Sequence, residues 1–596
     1  MWSNLKRLMI LTDEQKEIIS TDSDIKVNAV AGSGKTTTLI EYAKTRTSSK
    51  KLLYIAFNSS VKRSAKQKFD SLGLSNIRVE TAHSLAFDRI VKRSNFKIDR
   101  GYKTNQIKDI LSLRPDTPDK NAPFVLANHI KKFAQYYCNS NKDKVQDLDY
   151  LLTITDPVAK SFVQSFYPEI EYGTRLLLAK MNRSEINITH DFYLKLFQLQ
   201  NPQLYYDYIL FDEGQDASPA MLDVFLKQKA KKIIVGDTHQ QIYGWRYAIN
   251  SLQKVKGFGE YPLNTSFRLD NEISDLAMKI LRWKEHFTEL KSNVIIGAGR
   301  RSEIKTKAVL ARTNLKLLVK AIDLVTSFSS GVKKIYFEGN INSYTYAAEG
   351  ASIYDVLNLY NGKLHLIRDD MIKGMKHIDE LKEYAEKSEE TEIQMLVDIV
   401  EEYGNELPSL IKSLKDKHVP DEKRDEADVI FSTVHRCKGL EYDEVTLEKD
   451  FINEDTILKL IKKDGADSLD KDSLAEEVNL LYVAVTRTRS KLKLPEELTD
   501  PEIKELIFNS HKHVLVTNSS LRHSVNKYSF NMKKELGRKK PAYEISEWTP
   551  EMDEELEYRF SKRVPVKFIA EYFCTTKKCV LKRIFALGLF EKYNLD

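Results

Sequence analysis

The chain runs to 596 residues, 42% of them hydrophobic, with 22 glycines and 15 prolines; this suits about four globular domains at roughly 150 residues each and excludes fibrous or low-complexity classes. Lys plus Arg number 93 against 86 Asp plus Glu, and a net charge of +7 excludes a strongly basic global field, so a polyanion would have to be met by local patches. No apolar run approaches the roughly 18 residues that span a bilayer, and the opening MWSNLKRLMILTDEQ turns polar too early for a signal peptide, so an intracellular setting and no membrane partner are expected.

The first predicted strand, Ile25–Val30, is apolar and β-branched and runs into a loop of small residues before Gly34-Lys35-Thr36 opens a helix. The stretch Ala29, Val30, Ala31, Gly32, Ser33, Gly34, Lys35, Thr36 and Thr37 therefore reads as a phosphate-binding loop. Bare backbone N–H groups and a helix N-terminus cradle polyphosphate, Lys35 reaches the β- and γ-phosphates, and the Thr36 hydroxyl ligates Mg²⁺. Ala29 stands where the usual pattern has its first glycine. Further strands are expected at Leu52–Phe57, Ile77–Thr81, Tyr208–Asp212 and Lys232–Gly236. A second block of strands is expected at Lys307–Ala311, Asp428–Thr433, Glu444–Glu448 and Lys512–Thr517. Strands alternating with helical stretches argue for parallel sheets. Two charged, helix-prone insertions interrupt the blocks, at about Gly101–Asn187 and Ile341–Lys423.

After Leu494 the composition shifts, and Leu521–Pro541 carries seven Lys and Arg against only Glu535, as a basic linker does. The tail then regains helical signals: Thr549 caps a helix with Pro550 in its first position, a second helix fits Val566–Phe573, and a third fits Thr576–Leu587 with Gly588 ending it. Lys577, Lys578, Lys582 and Arg583 make that third helix basic, which suggests a helix-turn-helix. Four cysteines (Cys138, Cys437, Cys574, Cys579) are too few and scattered for a disulfide framework, and free thiols are expected.

Several polar residues sit where strand ends would bring them to the phosphate loop. In YDYILFDEGQD, Asp212 would hold Mg²⁺ and Glu213 would position or deprotonate the attacking water. The next strand leads into VGDTHQQIYGWRYAIN, where Gln240 suits a sensor of the γ-phosphate. Arg268 and Arg487 are candidates for the positive charge that phosphoryl transfer needs; either arginine alone would equally suit a surface salt bridge. Tyr243, Trp245 and Arg246 follow Gln240 closely, and aromatics interleaved with charge can hold single-stranded nucleic acid by stacking.

With these motifs in this order, the chain resembles the superfamily 1A DNA helicases of the UvrD/Rep/PcrA group from about Leu11 to Leu494. It is most similar to their F-box DNA helicase branch, although no F-box is evident. The resemblance rests on LTDEQKEII, AVAGSGKTTT, AFNSSVKRSA, TAHSLAF, ITHDFYLKLFQL followed by DEGQD, GDTHQQIYGWRYA, TSFRL, STVHRCKGLEYDEV and EEVNLLYVAVTRTR. It implies that Gln15 reads adenine, that Phe267 stacks on adenine where Tyr is more usual, and that Glu441 lies near the ribose. It implies Arg487 as the arginine finger, and DNA contacts at Phe57, Asn58, His83 and His435. Gly214 replaces a usual Ala, and Thr488 a common Ala.

The fold expected is α/β: two RecA-like P-loop NTPase domains with mainly helical inserted subdomains, plus a small all-α C-terminal helix-turn-helix. The division is 1–100 with 187–250 for the first, ATP-binding lobe and 101–186 for its insertion. The second lobe takes 251–340 with 424–520 and its insertion 341–423, followed by the basic linker 521–544 and the tail 545–596. The function implied is an ATP- and Mg²⁺-dependent DNA helicase moving 3′→5′ on single-stranded DNA, in repair, recombination or replication, in the cytoplasm or in a eukaryotic nucleus. Single strands and junctions with duplex are the expected partners, with duplex DNA or a protein at the tail. The alternative is a remodeller or sensor that displaces protein from DNA without productive unwinding.

Overall fold

The computed structural model describes residues 11–499 except 115–116, 245–246, 248–249, 290–293, 302, 328–329, 348–349 and 466–467, and beyond them 503–504, 514–517, 548–561, 566–573, 575 and 577–592. The chain separates into two compact units, Met1–Val516 and Thr517–Asp596.

The first unit holds two six-stranded sheets. In the first, β1 (Ile25–Ala29), β2 (Leu52–Ala56), β3 (Ile77–Thr81), β4 (Tyr208–Phe211), β5 (Lys231–Gly236) and β6 (Gly259–Leu263) stand in the order β3-β2-β4-β5-β1-β6, all parallel. The central strands are apolar on both faces, LLYIA and YILF being buried throughout, as strands covered by helices on both sides must be. Strand β6 corrects the lobe boundary placed at residue 250: residues 259–263 pair with β1. Its sequence, GEYPL, is largely exposed and carries Pro262, so this edge strand has no apolar run to announce it.

A short parallel pair, β7 (Thr265–Ser266) with β8 (Ile296–Gly297), follows. The second large sheet comprises β9 (Lys307–Ala311), β10 (Ile335–Phe337), β11 (Val429–Thr433), β12 (Tyr442–Leu447), β13 (Thr488–Pro495) and β14 (Val514–Thr517), in the order β10-β11-β9-β12-β13-β14. Two of these, β10 and β13, are additions to the strands read from sequence.

The stretches between strands are helical. Thr104–Ile110, Ala122–Asn139, Pro157–Ser165 and Tyr167–Asn182 build the first insertion, and Ile353–Tyr360, Ile378–Ser388, Thr391–Tyr403 and Leu407–Lys417 the second. The two insertions touch: His129 Nε2 lies 2.9 Å from the Lys387 carbonyl, Lys132 Nζ donates to the Ser388 carbonyl (2.7 Å), and the Glu389 carboxylate accepts the Asp156 backbone N–H (2.7 Å). Among the described residues no helix is long and apolar enough to cross a membrane.

The second unit packs Leu556, Phe560, Ile569, Val580, Ile584 and Leu589 from the helices Pro550–Ser561, Val566–Tyr572, Lys577–Ala586 and Leu589–Lys592. Thr549 Oγ1 accepts the Met552 N–H (3.3 Å) as the cap expected, and Gly588 takes φ +63 beyond the third helix. Arg583, one of the basic residues of the third helix, is tied to the first: its Nε donates to Asp553 Oδ1 at 2.7 Å. The basic stretch 521–541 and Cys574 lie outside the described residues.

Candidate nucleotide site and nucleic-acid platform

The loop after β1 has the form a phosphate cradle requires. Gly32 and Gly34 take φ +74 and +80, and a Cβ on Gly32 would sit 2.5 Å from Arg268 Cβ. Gly34 precedes the helix Lys35–Lys44, and no side chain caps the helix's first N–H groups. Ser33 Oγ is buried without a hydrogen-bond partner, a polar atom that a bound anion's surroundings would satisfy.

Beyond the loop, Lys35 Nζ donates to Glu213 Oε2 (2.9 Å) and Thr36 Oγ1 to Asp212 Oδ2 (3.0 Å). One hydroxyl and one carboxylate at that distance fit Mg²⁺, which keeps waters and takes its remaining ligands from substrate phosphates. Tyr54 OH also donates to Asp212 Oδ2. Burial and the neighbouring Glu213 charge raise the Asp212 carboxyl. Burial also acts upward on Glu213, but the Lys35 and Lys438 ammonium groups and the Gln215 amide outweigh it and bring it down to about 2, so Glu213 is a carboxylate. Burial opposes the Lys35 charge, yet Glu213, Asp237 and Asp212 hold that ammonium above its ordinary value. Glu213 itself sits at φ +54, a left-handed conformation uncommon for glutamate and the kind of local strain that collects at working sites.

Gln15 and Phe267 flank the same glycine: a Gly34 Cβ would lie 3.3 Å from Gln15 Nε2 and 4.0 Å from Phe267 Cε2. Gln15 is buried, its Oε1 accepting the Thr12 N–H (3.0 Å) and its Nε2 donating to Thr38 Oγ1 (3.1 Å). Phe267 is 47% exposed, an aromatic face open beside the loop.

Opposite stands the helix Lys471–Val485 and the start of β13. Tyr482 OH accepts the Ala31 backbone N–H (3.3 Å) and donates to Asp237 Oδ2 (3.1 Å), so the phosphate loop touches this helix directly. Gln240 Nε2 donates to the same Asp237 oxygen at 2.8 Å. Arg268 pairs with Glu441 (2.5 Å) and donates to the Thr486 carbonyl (3.2 Å). Burial and the nearby Arg487 push the Arg268 guanidinium down to about 10. Arg487 is 1% exposed and, among the described residues, bonds neutral groups: the carbonyls of Val483 (3.0 Å) and Leu440 (3.3 Å) and the Thr486 hydroxyl (3.1 Å). Among the described residues no carboxylate pairs with this buried guanidinium, and an anion bound beside it would compensate its charge.

Of the predicted nucleic-acid contacts, three meet. The Phe57 and Tyr243 rings stack with centroids 5.7 Å apart and planes at 19°, and Tyr243 OH donates to the His435 carbonyl (3.1 Å). Burial takes the His435 imidazole down to about 4, so it is neutral near pH 7. Asn58 caps the helix Ser59–Ser71 through its side chain, and His83 stands elsewhere, edge-on to Tyr193 at 6.1 Å. Trp245 and Arg246 lie outside the described residues.

Sequence reasoning missed Lys438, which ties these parts together. Its Nζ donates to both Asp216 oxygens (2.6 and 2.7 Å) and to the Gln240 carbonyl (2.6 Å), and lies 4.8 Å from the Tyr243 ring centre. Asp237 and Tyr482 were missed likewise. Each lies inside a quoted motif, but no spacing within one motif reveals a partner some 200 residues away.

Residues 11–256 match the family model described as the UvrD/REP helicase N-terminal domain. F-box DNA helicase 1 of Gallus gallus is 28% identical over 536 residues, 83% of this chain and 50% of that protein. F-box DNA helicase protein 1 of Schizosaccharomyces pombe is 29% identical over 539 residues, 82% of this chain and 58% of that protein. ATP-dependent DNA helicase PcrA of Leuconostoc citreum is 25% identical over 313 residues, 46% of this chain and 39% of its own length. The chain thus spans about half the length of the curated relatives it matches.

Proposed function

We propose, from the premise that the chain belongs to the UvrD-like superfamily 1 helicases and lies close to their F-box branch, that it is an ATP-driven DNA helicase moving 3′→5′ on single-stranded DNA. The observation that carries this reading is a continuous polar path. It runs from the phosphate loop (Ala31) through Tyr482 and Asp237 to Gln240, and through Lys438 to the stacked Tyr243 and Phe57.

The substrate is ATP. Thr36 and Asp212 would hold Mg²⁺, which would supply positive charge against the phosphates. Lys35 exchanges Glu213 for phosphate oxygens, and the released Glu213 carboxylate orients water and takes its proton. Arg487 and Arg268 stabilise the charge that develops on the transferred group. Gln15 and Phe267 hold the adenine, and Glu441 the ribose side. Gln240, bonded to Asp237, responds to the γ-phosphate, and its neighbours carry that response to the base-stacking aromatics. Unwinding costs about 1.4 kcal/mol per base-pair step, well within what one turnover can drive.

In this reading the two sheets are RecA-like lobes with inserted subdomains, residues 521–544 are a linker, and the tail docks on duplex DNA as a helix-turn-helix. The protein then acts at single-strand/duplex junctions during repair, recombination or replication. Strand displacement on partial duplexes with opposed tails tests it: unwinding from a 3′ tail is expected, and unwinding from a 5′ tail alone would overturn the direction. Displacement of a bound protein without unwinding would favour the remodeller.

A further inference from the structure

Lys284, in the turn Trp283–His286 after the helix Asn271–Arg282, is only 3% exposed. Its ammonium has no carboxylate in ion-pair contact among the described residues; Nζ lies 3.1 Å from His239 Nδ1 and donates to Asn479 Oδ1. Burial drives it down to about 7, with Asp237 alone pulling upward. A core position needing only volume is served as well by methionine, so a buried amine at this cost calls for a role.

Its two partners flank Gln240. His239 precedes that residue and packs edge-on to Tyr482 at 6.0 Å, while Asn479 Nδ2 donates to the carbonyl of Gln241 (2.7 Å). Asn479 belongs to a three-residue repeat of contacts along one face of Lys471–Val485. Glu476 accepts the Gly244 N–H (3.1 Å), Asn479 holds Gln241, and Tyr482 holds Asp237. The whole segment from Asp237 to Gly244 therefore lies in register on that helix.

We propose that Lys284 is a positioning residue that locks this register by holding His239 and Asn479 together, so that a change at the phosphate end reaches Tyr243. The idea rests on the motor reading above, and its test carries a readout independent of that reading. Wild type, Lys284→Met and Lys284→Gln are compared in two measurements: ATPase with and without oligo-dT, and amide hydrogen exchange of residues 237–244 with and without AMP-PNP. For Lys284→Met the DNA-stimulated kcat should fall at least about tenfold, with KM for ATP and the unstimulated rate within about twofold. AMP-PNP should no longer slow exchange in the segment. The amide of Lys284→Gln, which can still bond Asn479, should restore part of both.

Lys284→Met keeping wild-type stimulation and nucleotide-dependent protection would overturn the proposal. So would parallel loss of kcat, ATP affinity and unfolding temperature with no rescue by Gln, the pattern of a packing residue. If Lys284→Met does not fold, Lys284→Gln against wild type decides through the exchange readout: weakened protection at an unchanged unfolding temperature supports the lock, and full protection overturns it. A wild type that DNA fails to stimulate would sink the motor reading, while the exchange data still judge Lys284. Absence of nucleotide-dependent protection in wild type would end the proposal.

Discussion

Replacing Lys438 by methionine removes one ammonium from Asp216, the Gln240 carbonyl and the Tyr243 ring together. Asp216 is 1% exposed at its side chain. Burial lifts its carboxyl from 3.8 to about 6 even with Lys438 pulling down, and Glu213 adds to the rise. A carboxyl whose folded value exceeds its unfolded one contributes most to stability below the unfolded value and loses that contribution as pH climbs through the folded value. In wild type the loss therefore levels off above about pH 6, at about 3 kcal/mol. Without Lys438 the folded value moves higher still, the levelling disappears, and each pH unit costs a further ~1.4 kcal/mol. The stability gap between variant and wild type should thus be smallest at pH 6 and widen at pH 7 and again at pH 8, by roughly 1 kcal/mol per pH unit. Taking up a proton keeps the loss below the ~3–5 kcal/mol expected when a buried charge is stranded. Urea unfolding at the three pH values measures this. A difference that does not change with pH would refute the argument, because it would mean that Asp216 is not charged against Lys438 in the folded protein.

Gly32→Ala places a Cβ 2.5 Å from Arg268 Cβ at φ +74, so the loop must shift; nucleotide affinity should fall at least about tenfold in a fluorescent-nucleotide titration, and an unchanged affinity would contradict the cradle. Tyr243→Ala should weaken single-stranded DNA binding about 5- to 150-fold, the worth of one stacked base, while the salt dependence stays as it was because no phosphate contact is removed. Ending the chain after Pro541 should reduce duplex binding and its salt dependence and spare the single-strand-stimulated ATPase; unchanged duplex binding would remove the docking role of the tail.

Features that are local in the chain are legible in its sequence. The phosphate loop announces itself because strand, glycines and helix start are consecutive, and β2 and β3 follow from short apolar runs between polar stretches. Strand β13, absent from the expected strands, does carry a readable signal: Thr488, Ser490, Leu492 and Leu494 are buried while Arg489, Lys491 and Lys493 face outward, a strict period of two. Strand β10, three residues long, carries none. The site divides the same way. Lys35, Thr36, Asp212 and Glu213 can be assigned because each sits at a strand or helix end, but their grouping with Tyr54 cannot. The long-range pairs around the site (Lys438 to Asp216, Tyr482 to Asp237, Lys284 to His239) have partners 222, 245 and 45 positions away, and only the folded chain brings them together.

In the proposed motor, hydrolysis at Glu213 is geared to a single strand on Tyr243. ATPase rates of wild type and Glu213→Gln, each with and without single-stranded DNA, test it most directly. Strong stimulation of wild type and a loss of at least about 10²-fold in the variant are predicted; turnover indifferent to DNA, or undiminished without the Glu213 carboxylate, would contradict it.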